Sequence, residues 1–328
     1  FSKGFFYVAD GTFNFYDTEK KTAYQDCYAS LNAGKTLGIG NYDSANIIHS
    51  NGKFYLLVGT STSNRDHFYI VDAKTLYYEN SAVVGANLSG LTILNEQYGL
   101  VTGDGIRRID LKSLNNVRIK NERLLCFYNS IIYNGKVLSN DTYKDESKVK
   151  YYDVNELIAA KEGEAPAVTE LDIIQKQKIN FVLAKDGNVY TLESADNGCN
   201  IVKIKNDFTL EKVFANFQPA KGPYHSSPTI GMVASETENI IYLVSTDGAI
   251  YKYILGDSDS LKAPFIAAES GVSITAPLQL NQQSGELYVT YTEERKDESK
   301  IVVYSKDGKV LHTVDCGESV PSQILFNN

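Results

Sequence analysis

Apolar positions in this chain gather into short runs of four to seven residues separated by turn residues, and few of them fall at helical spacing. Asn46-Ile47-Ile48-His49, Gly52 to Val58, His67 to Asp72 and Tyr77 to Val84 read as four consecutive short strands. The run Phe54-Tyr55-Leu56-Leu57-Val58 is continuous where a half-exposed strand would alternate, which predicts burial on both faces. Further pairs of central strands follow the same plan: Tyr98 to Thr102 with Ile106 to Leu111, Gly135 to Ser139 with Val149 to Val154, and Val189 to Glu193 with Ile201 to Lys205. Ile241 to Ser245 with Ile250 to Ile254 and Leu287 to Tyr291 with Ile301 to Ser305 complete the series. A multi-strand unit recurring every 40 to 50 residues or so is the mark of a β-propeller. Val154 to Lys161 alone reads as a helical turn, ended before Pro166.

The two chain ends supply a seventh unit. Gly4 to Asp10 and Phe13 to Asp17 look like the second and third strands of a blade with no first strand before them. Gln323-Ile324-Leu325-Phe326-Asn327 resembles the first strands elsewhere, so the C-terminus is expected to complete the N-terminal blade and remove the most exposed pair of strand edges. Dividing 328 residues by seven gives about 47 per blade, within the propeller range. The expectation is an all-β, seven-bladed propeller of four-stranded antiparallel blades, with residues 1–328 as one domain.

Composition supports strands: 23 Tyr and 14 Phe stand beside one Met and no Trp. The absence of Trp removes the tryptophan-aspartate repeat and the tryptophan-docking motifs of other propeller classes. A formal charge of −8, with no basic run longer than two residues, argues against a nucleic-acid partner. No apolar stretch is long enough for a membrane-spanning helix. The chain starts at Phe1, which reads as the product of a removed leader. Cys27, Cys126, Cys199 and Cys316 form no CxxC pair, so buried or incidental thiols are expected, with one long-range disulfide as the alternative.

The order of motifs resembles a known family. Gly4-Phe5-Phe6-Tyr7-Val8, Phe13-Asn14-Phe15-Tyr16-Asp17, Leu37-Gly38, Ser44-Ala45-Asn46-Ile47 and Ile70-Val71-Asp72-Ala73-Lys74-Thr75 are similar to the YncE-like seven-bladed surface lipoproteins of Gram-negative outer membranes. Gly285 to Val289, Val303 to Val310 and Val320 to Asn327 are similar to that family's last blade and closing strand. The resemblance implies an exported, lipid-anchored, non-catalytic protein on the cell surface. Such a protein captures a scarce nutrient, in some relatives cobalamin or a related corrinoid, for a TonB-dependent transporter. Where the family carries a longer loop in its first blade, this chain has Ala9-Asp10-Gly11-Thr12, so a ligand site using that loop would differ here.

Propeller topology puts the connections between blades, and those between the second and third strands of a blade, on one face. Candidate ligand-binding residues on that face are Tyr42, Asp43, Arg65, Tyr128, Lys176, Lys221, Tyr224 and His225. The segment Phe217 to Ser227 stands out, because two prolines and a glycine shape it while Lys221, Tyr224 and His225 offer a cation, an amphipathic ring and a titratable donor. Gln175-Lys176-Gln177 is read as a further inter-blade loop, and Arg65 as a guanidinium for an anion or for a local acid such as Asp66. His49 and His312 fall inside strands and read as structural. Asp257-Ser258-Asp259-Ser260 has closely spaced oxygens but lacks the glycine and closing glutamate of an EF-hand. No metal motif, cofactor motif or catalytic triad spacing is written in the chain, and a monomer binding a small molecule is expected. The alternatives are an adhesin or scaffold that recognises protein or glycan, and a propeller glycan hydrolase or lyase with a converging carboxylate pair.

Overall fold

The computed structural model describes residues 4–9, 12–33, 35, 37, 44–59, 66–85, 88–103, 105–120, 130–140, 147–164, 166–175, 180–220, 231–293 and 298–326. Seven antiparallel sheets form the blades of a β-propeller. The second blade gives the plan, with strands Ser44–Ser50, Lys53–Gly59, Asp66–Asp72 and Tyr78–Gly85 running in order from the inside outward. The first blade is composite: Gln323–Leu325 lies inside Gly4–Ala9, followed by Thr12–Asp17 and Thr22–Tyr24. Phe6 pairs with Leu325, Tyr7 with Ile324 and Val8 with Gln323, so the chain ends share one sheet as expected.

The continuous apolar runs follow from strand geometry. Successive side chains point to opposite faces of a sheet, and each face here meets a neighbouring blade. Phe54 accordingly packs with Phe6 and Phe13 of blade one, while its neighbour Tyr55 packs with Leu91 and Val101 of blade three. Val189 faces blade four and Tyr190 faces blade six. Leu287 faces blade six, and Tyr288 faces Phe5, Tyr7 and Ile324 of blade one. Apolar clusters therefore fill every junction of successive blades, the seventh-to-first included, and this packing makes the ring.

Two blades depart from the plan. In blade six three strands, Met232–Ala234, Ile240–Val244 and Ile250–Ile254, are joined at the outer position by a single bridge from Ile250 to Ile266. Pro264, just before that bridge, has no N–H to extend a ladder. In blade seven the inner strand is split: Val272–Ile274 and Gln279–Leu280 both pair with Leu287–Glu293.

Helix is sparse among the described residues. Val154–Ala159, the helical turn expected from sequence, is capped by the Asp153 carboxylate, which accepts from the N–H groups of Asn155 and Glu156. Cys27–Leu31 is a five-residue helix that the sequence pattern does not announce. Asn32 behind it donates to Leu76 O at 2.8 Å and accepts from Tyr78 N at 2.7 Å, fastening the helix to blade two. Cys27, Cys199 and Cys316 are buried free thiols, as expected, and Cys126 lies outside the described residues. Burial pushes the Cys199 thiol up to about 11, which keeps it protonated and inert at neutral pH.

Candidate functional site

The two faces of the ring carry different connections. On one face lie the turns from first to second and from third to fourth strands. There an Asp at the end of a third strand folds back on its own turn. Asp72 accepts from Lys74 N, Thr75 N and the Thr75 hydroxyl, and Asp110 accepts from Lys112 N, Ser113 N and the Ser113 hydroxyl. Each turn closes on a leucine with positive φ, Leu76 at 59° and Leu114 at 58°, whose buried side chain offsets the backbone strain. Asp17 binds Glu19 N and Lys20 N in the same manner. These carboxylates are committed to local structure.

Their acidity follows. The Lys20 N–H holds the Asp17 carboxyl below its ordinary value, the Thr75 hydroxyl does so for Asp72, the Ser113 N–H for Asp110 and the Lys136 ammonium for Asp153. A carboxyl depressed by folding stabilises the protein above its unfolded pKa, near 3.9, and that stability is lost as pH falls through the folded pKa. The melting temperature should therefore hold steady from neutrality to about pH 5 and fall below about pH 4. Asp72→Asn should show a shallower acid limb in the same thermal scan, and an unchanged limb would contradict the assignment.

The opposite face carries the inter-blade connections and the turns from second to third strands. Tyr42, Asp43, Arg65, Tyr128, Lys176, Lys221, Tyr224 and His225 all lie outside the described residues. The strands they adjoin end on this face: Asp43 precedes Ser44–Ser50, Arg65 precedes Asp66–Asp72, and Lys176 follows Val168–Gln175. Asp66, considered as an ion partner for Arg65, is 2% exposed and accepts the Leu88 N–H of the next blade.

The long connection from blade five to blade six has firmly held ends. Ala220 N donates to Val244 O at 2.9 Å and Thr246 N to Gln218 O at 2.8 Å, so residues 218–220 run along the inner side of the blade-six second strand. Met232 pairs with Leu243, the residue next to Val244 on that strand. Ala220 and Met232 thus stand at adjacent ladder positions of the inner wall. Gln218 Nε2 also donates to Asn197 O of blade five at 2.7 Å, in space that a side chain on Gly198 would fill.

At the return point Asn180 of blade five grips Met232 twice, donating to its carbonyl at 2.7 Å and accepting from its N–H at 3.0 Å. A Cβ on Gly231 would lie 2.1 Å from Asn180 Oδ1, so only glycine lets the backbone pass this clamp. Behind Asn180 stands a buried polar row. Thr191 Oγ1 donates to Asn180 O at 3.1 Å, and Gln175 Nε2 donates to Thr191 Oγ1 and Leu192 O, both at 3.0 Å. Asn140 Nδ2 donates to Gln175 Oε1 at 2.6 Å. Gln175, read from sequence as a loop residue, is the 1% exposed end of an outer strand. Asn140, Asn180 and Thr191 gave no signal, because a lone amide or threonine beside an apolar run looks like a strand end.

Other residues singled out in the sequence lie within regular elements. His49 packs its ring on Phe54 at 5.3 Å, and His312 sits in the outer strand Val310–Gly317. The oxygens of Asp257–Ser260 serve a 3-10 turn: Asp257 Oδ1 accepts from Asp259 N, and Ser260 Oγ donates to Asp257 O.

A family model described as "Domain of unknown function (DUF5074)" matches residues 2–327. No curated protein matches. Among solved structures, a functionally unknown protein from Desulfotomaculum acetoxidans DSM 771 is similar at 13% identity, with a TM-score of 0.61 and 98% of each chain covered. Kluyveromyces lactis Hsv2 is similar at 10% identity and a TM-score of 0.51, covering 96% of this chain and 93% of that one. At these identities the likeness is one of fold.

Proposed function

This chain belongs to the DUF5074 family, and from that premise and its geometry we propose that it is a non-catalytic propeller that captures a small molecule on its loop face. The observation that carries this reading is the anchored connection of blade six. Its described ends, residues 218–220 and Met232, are held at adjacent positions of the inner wall. A segment with fixed ends loses less entropy on binding than a free one, which favours tight capture.

Lys221, Tyr224 and His225 are the proposed contacts, with Tyr42, Asp43, Tyr128, Arg65 and Lys176 around the rim. The family resemblance adds a finer proposal: a surface lipoprotein of an outer membrane, binding a corrinoid or another scarce cofactor and passing it to a TonB-dependent transporter. Calorimetric titration with corrinoids, metal chelates and oligosaccharides tests it. For whichever compound binds, replacing Lys221 and Tyr224 together by alanine should weaken binding at least about 30-fold, the loss of one hot-spot contact, with the melting temperature held. Retained affinity, or a large loss of stability, would overturn the assignment.

A further inference from the structure

The hydrogen-bonded row from Asn140 to Met232 crosses three blades, and its members sit at the bases of three separate connections. Asn140 precedes residues 141–146, Gln175 and Asn180 bracket 176–179, and Met232 follows 221–230. Asn140, Gln175, Thr191 and Met232 are at most 4% exposed. A buried polar row must be fully satisfied to avoid destabilising a core, and an apolar substitute of the same shape would serve stability as well. What hydrogen bonds add is direction: each link fixes one side chain relative to the backbone of the next blade. Asn180 shows this most clearly, since its amide meets both the donor and the acceptor of one residue, Met232, across a blade junction.

We propose that Asn140, Gln175, Thr191 and Asn180 form a positioning network that locks the ends of blades four, five and six on this face into one relative arrangement, so that Asn140, Gln175, Asn180 and Met232 move as a single unit. Its role in binding rests on the capture reading above, while its mechanical unity does not. Thr191 is the pivotal member, because one hydroxyl both accepts from Gln175 and donates to Asn180.

The test uses the Met232 amide, whose proton is held by the Asn180 side chain and therefore reports the far end of the row. Thr191→Val keeps shape and strand preference but removes the hydroxyl, and Thr191→Ser keeps it. Amide exchange at Met232, followed by NMR in the full chain, should quicken about tenfold or more in Thr191→Val and return to the native rate in Thr191→Ser. Gln175→Met, which alters no direct contact with blade six, should quicken the same amide. The core amides of Leu57 and Ile241 should keep their rates in all three variants. Unchanged exchange at Met232, or an equal rise at Leu57 and Ile241, would overturn the network. Cyanocobalamin titration forms a second arm: if the native protein binds it, Thr191→Val should lose about tenfold in affinity and Thr191→Ser none. If the native protein does not bind it, the corrinoid reading fails while the exchange result still decides the network.

Discussion

Truncation after Pro321 should unfold the ring or lower its melting midpoint by more than about 10 °C. The closing strand is short, with three residues in register, yet it contributes to two cores at once. Ile324, 3% exposed, packs with Tyr7 and Tyr288 at the junction of blades seven and one. Leu325, 5% exposed, packs with Phe6, Phe54 and Leu56 at the junction of blades one and two. Ser322 N donates to Val8 O at 2.8 Å, and Gln323 Nε2 reaches Ile47 O of blade two at 2.9 Å. Removing either aliphatic side chain from such a site typically costs about 2–5 kcal/mol. The two together, with the exposed ladder of Gly4–Ala9, approach the whole stability of an ordinary protein. Urea and thermal unfolding of the truncated chain measure this directly, and Leu325→Ala provides a graded version with a loss of about 2–4 kcal/mol. A truncated chain with native stability would show that the ring does not depend on its seam.

The second strands of the blades were legible in the sequence because each is buried twice over. Phe54-Tyr55 and Leu287-Tyr288 send neighbouring side chains to neighbouring blades, and a strand with no solvent face has no polar alternation to hide it. The seam was legible for the same reason: Ile324-Leu325 divides between two cores as the other inner strands do. Several inner strands were harder to read, since Ile131–Tyr133 and Val182–Leu183 are too short for any period to register. The Cys27–Leu31 helix was hidden by its start, where Asp26 adopts φ 52° and makes no side-chain cap. Tertiary contacts through Asn32 hold it in place of local signals.

The candidate site was less legible, because it depends on which polar residues turn inward. Gln175 reads as solvent-facing from its neighbours Lys176 and Gln177, yet its amide finds three partners inside the ring. Asp66 likewise looks like a loop acid and serves instead as an acceptor between blades two and three. In both cases the polar group lies where a strand ends against the next blade, and the partner comes from a segment distant along the chain. Only the closed ring brings the two together.

The junction of blades one and two should be the most sensitive interior position to a single truncation. Phe54 is fully buried, with ring centroids 5.7 Å from Phe13, 6.2 Å from Phe6 and 5.3 Å from His49. The contact with Phe6 is edge-on at 86°, and that with Phe13 is close to parallel at 26°, so the ring meets both the edge and the face of its neighbours. Phe54→Ala would remove a whole ring from between two sheets whose backbones are fixed by their own ladders, so the space cannot close by collapse. A loss of about 3–5 kcal/mol is expected in urea unfolding, against about 1 kcal/mol for Phe54→Leu, which refills most of the volume. The position also tests the seam independently. Leu325 and Phe54 share one cluster, so Phe54→Ala combined with Leu325→Ala should cost measurably less than the sum of the two single losses. Strict additivity would mean that the closing strand and blade two do not share a core, and the packing that closes the ring would then have to lie elsewhere.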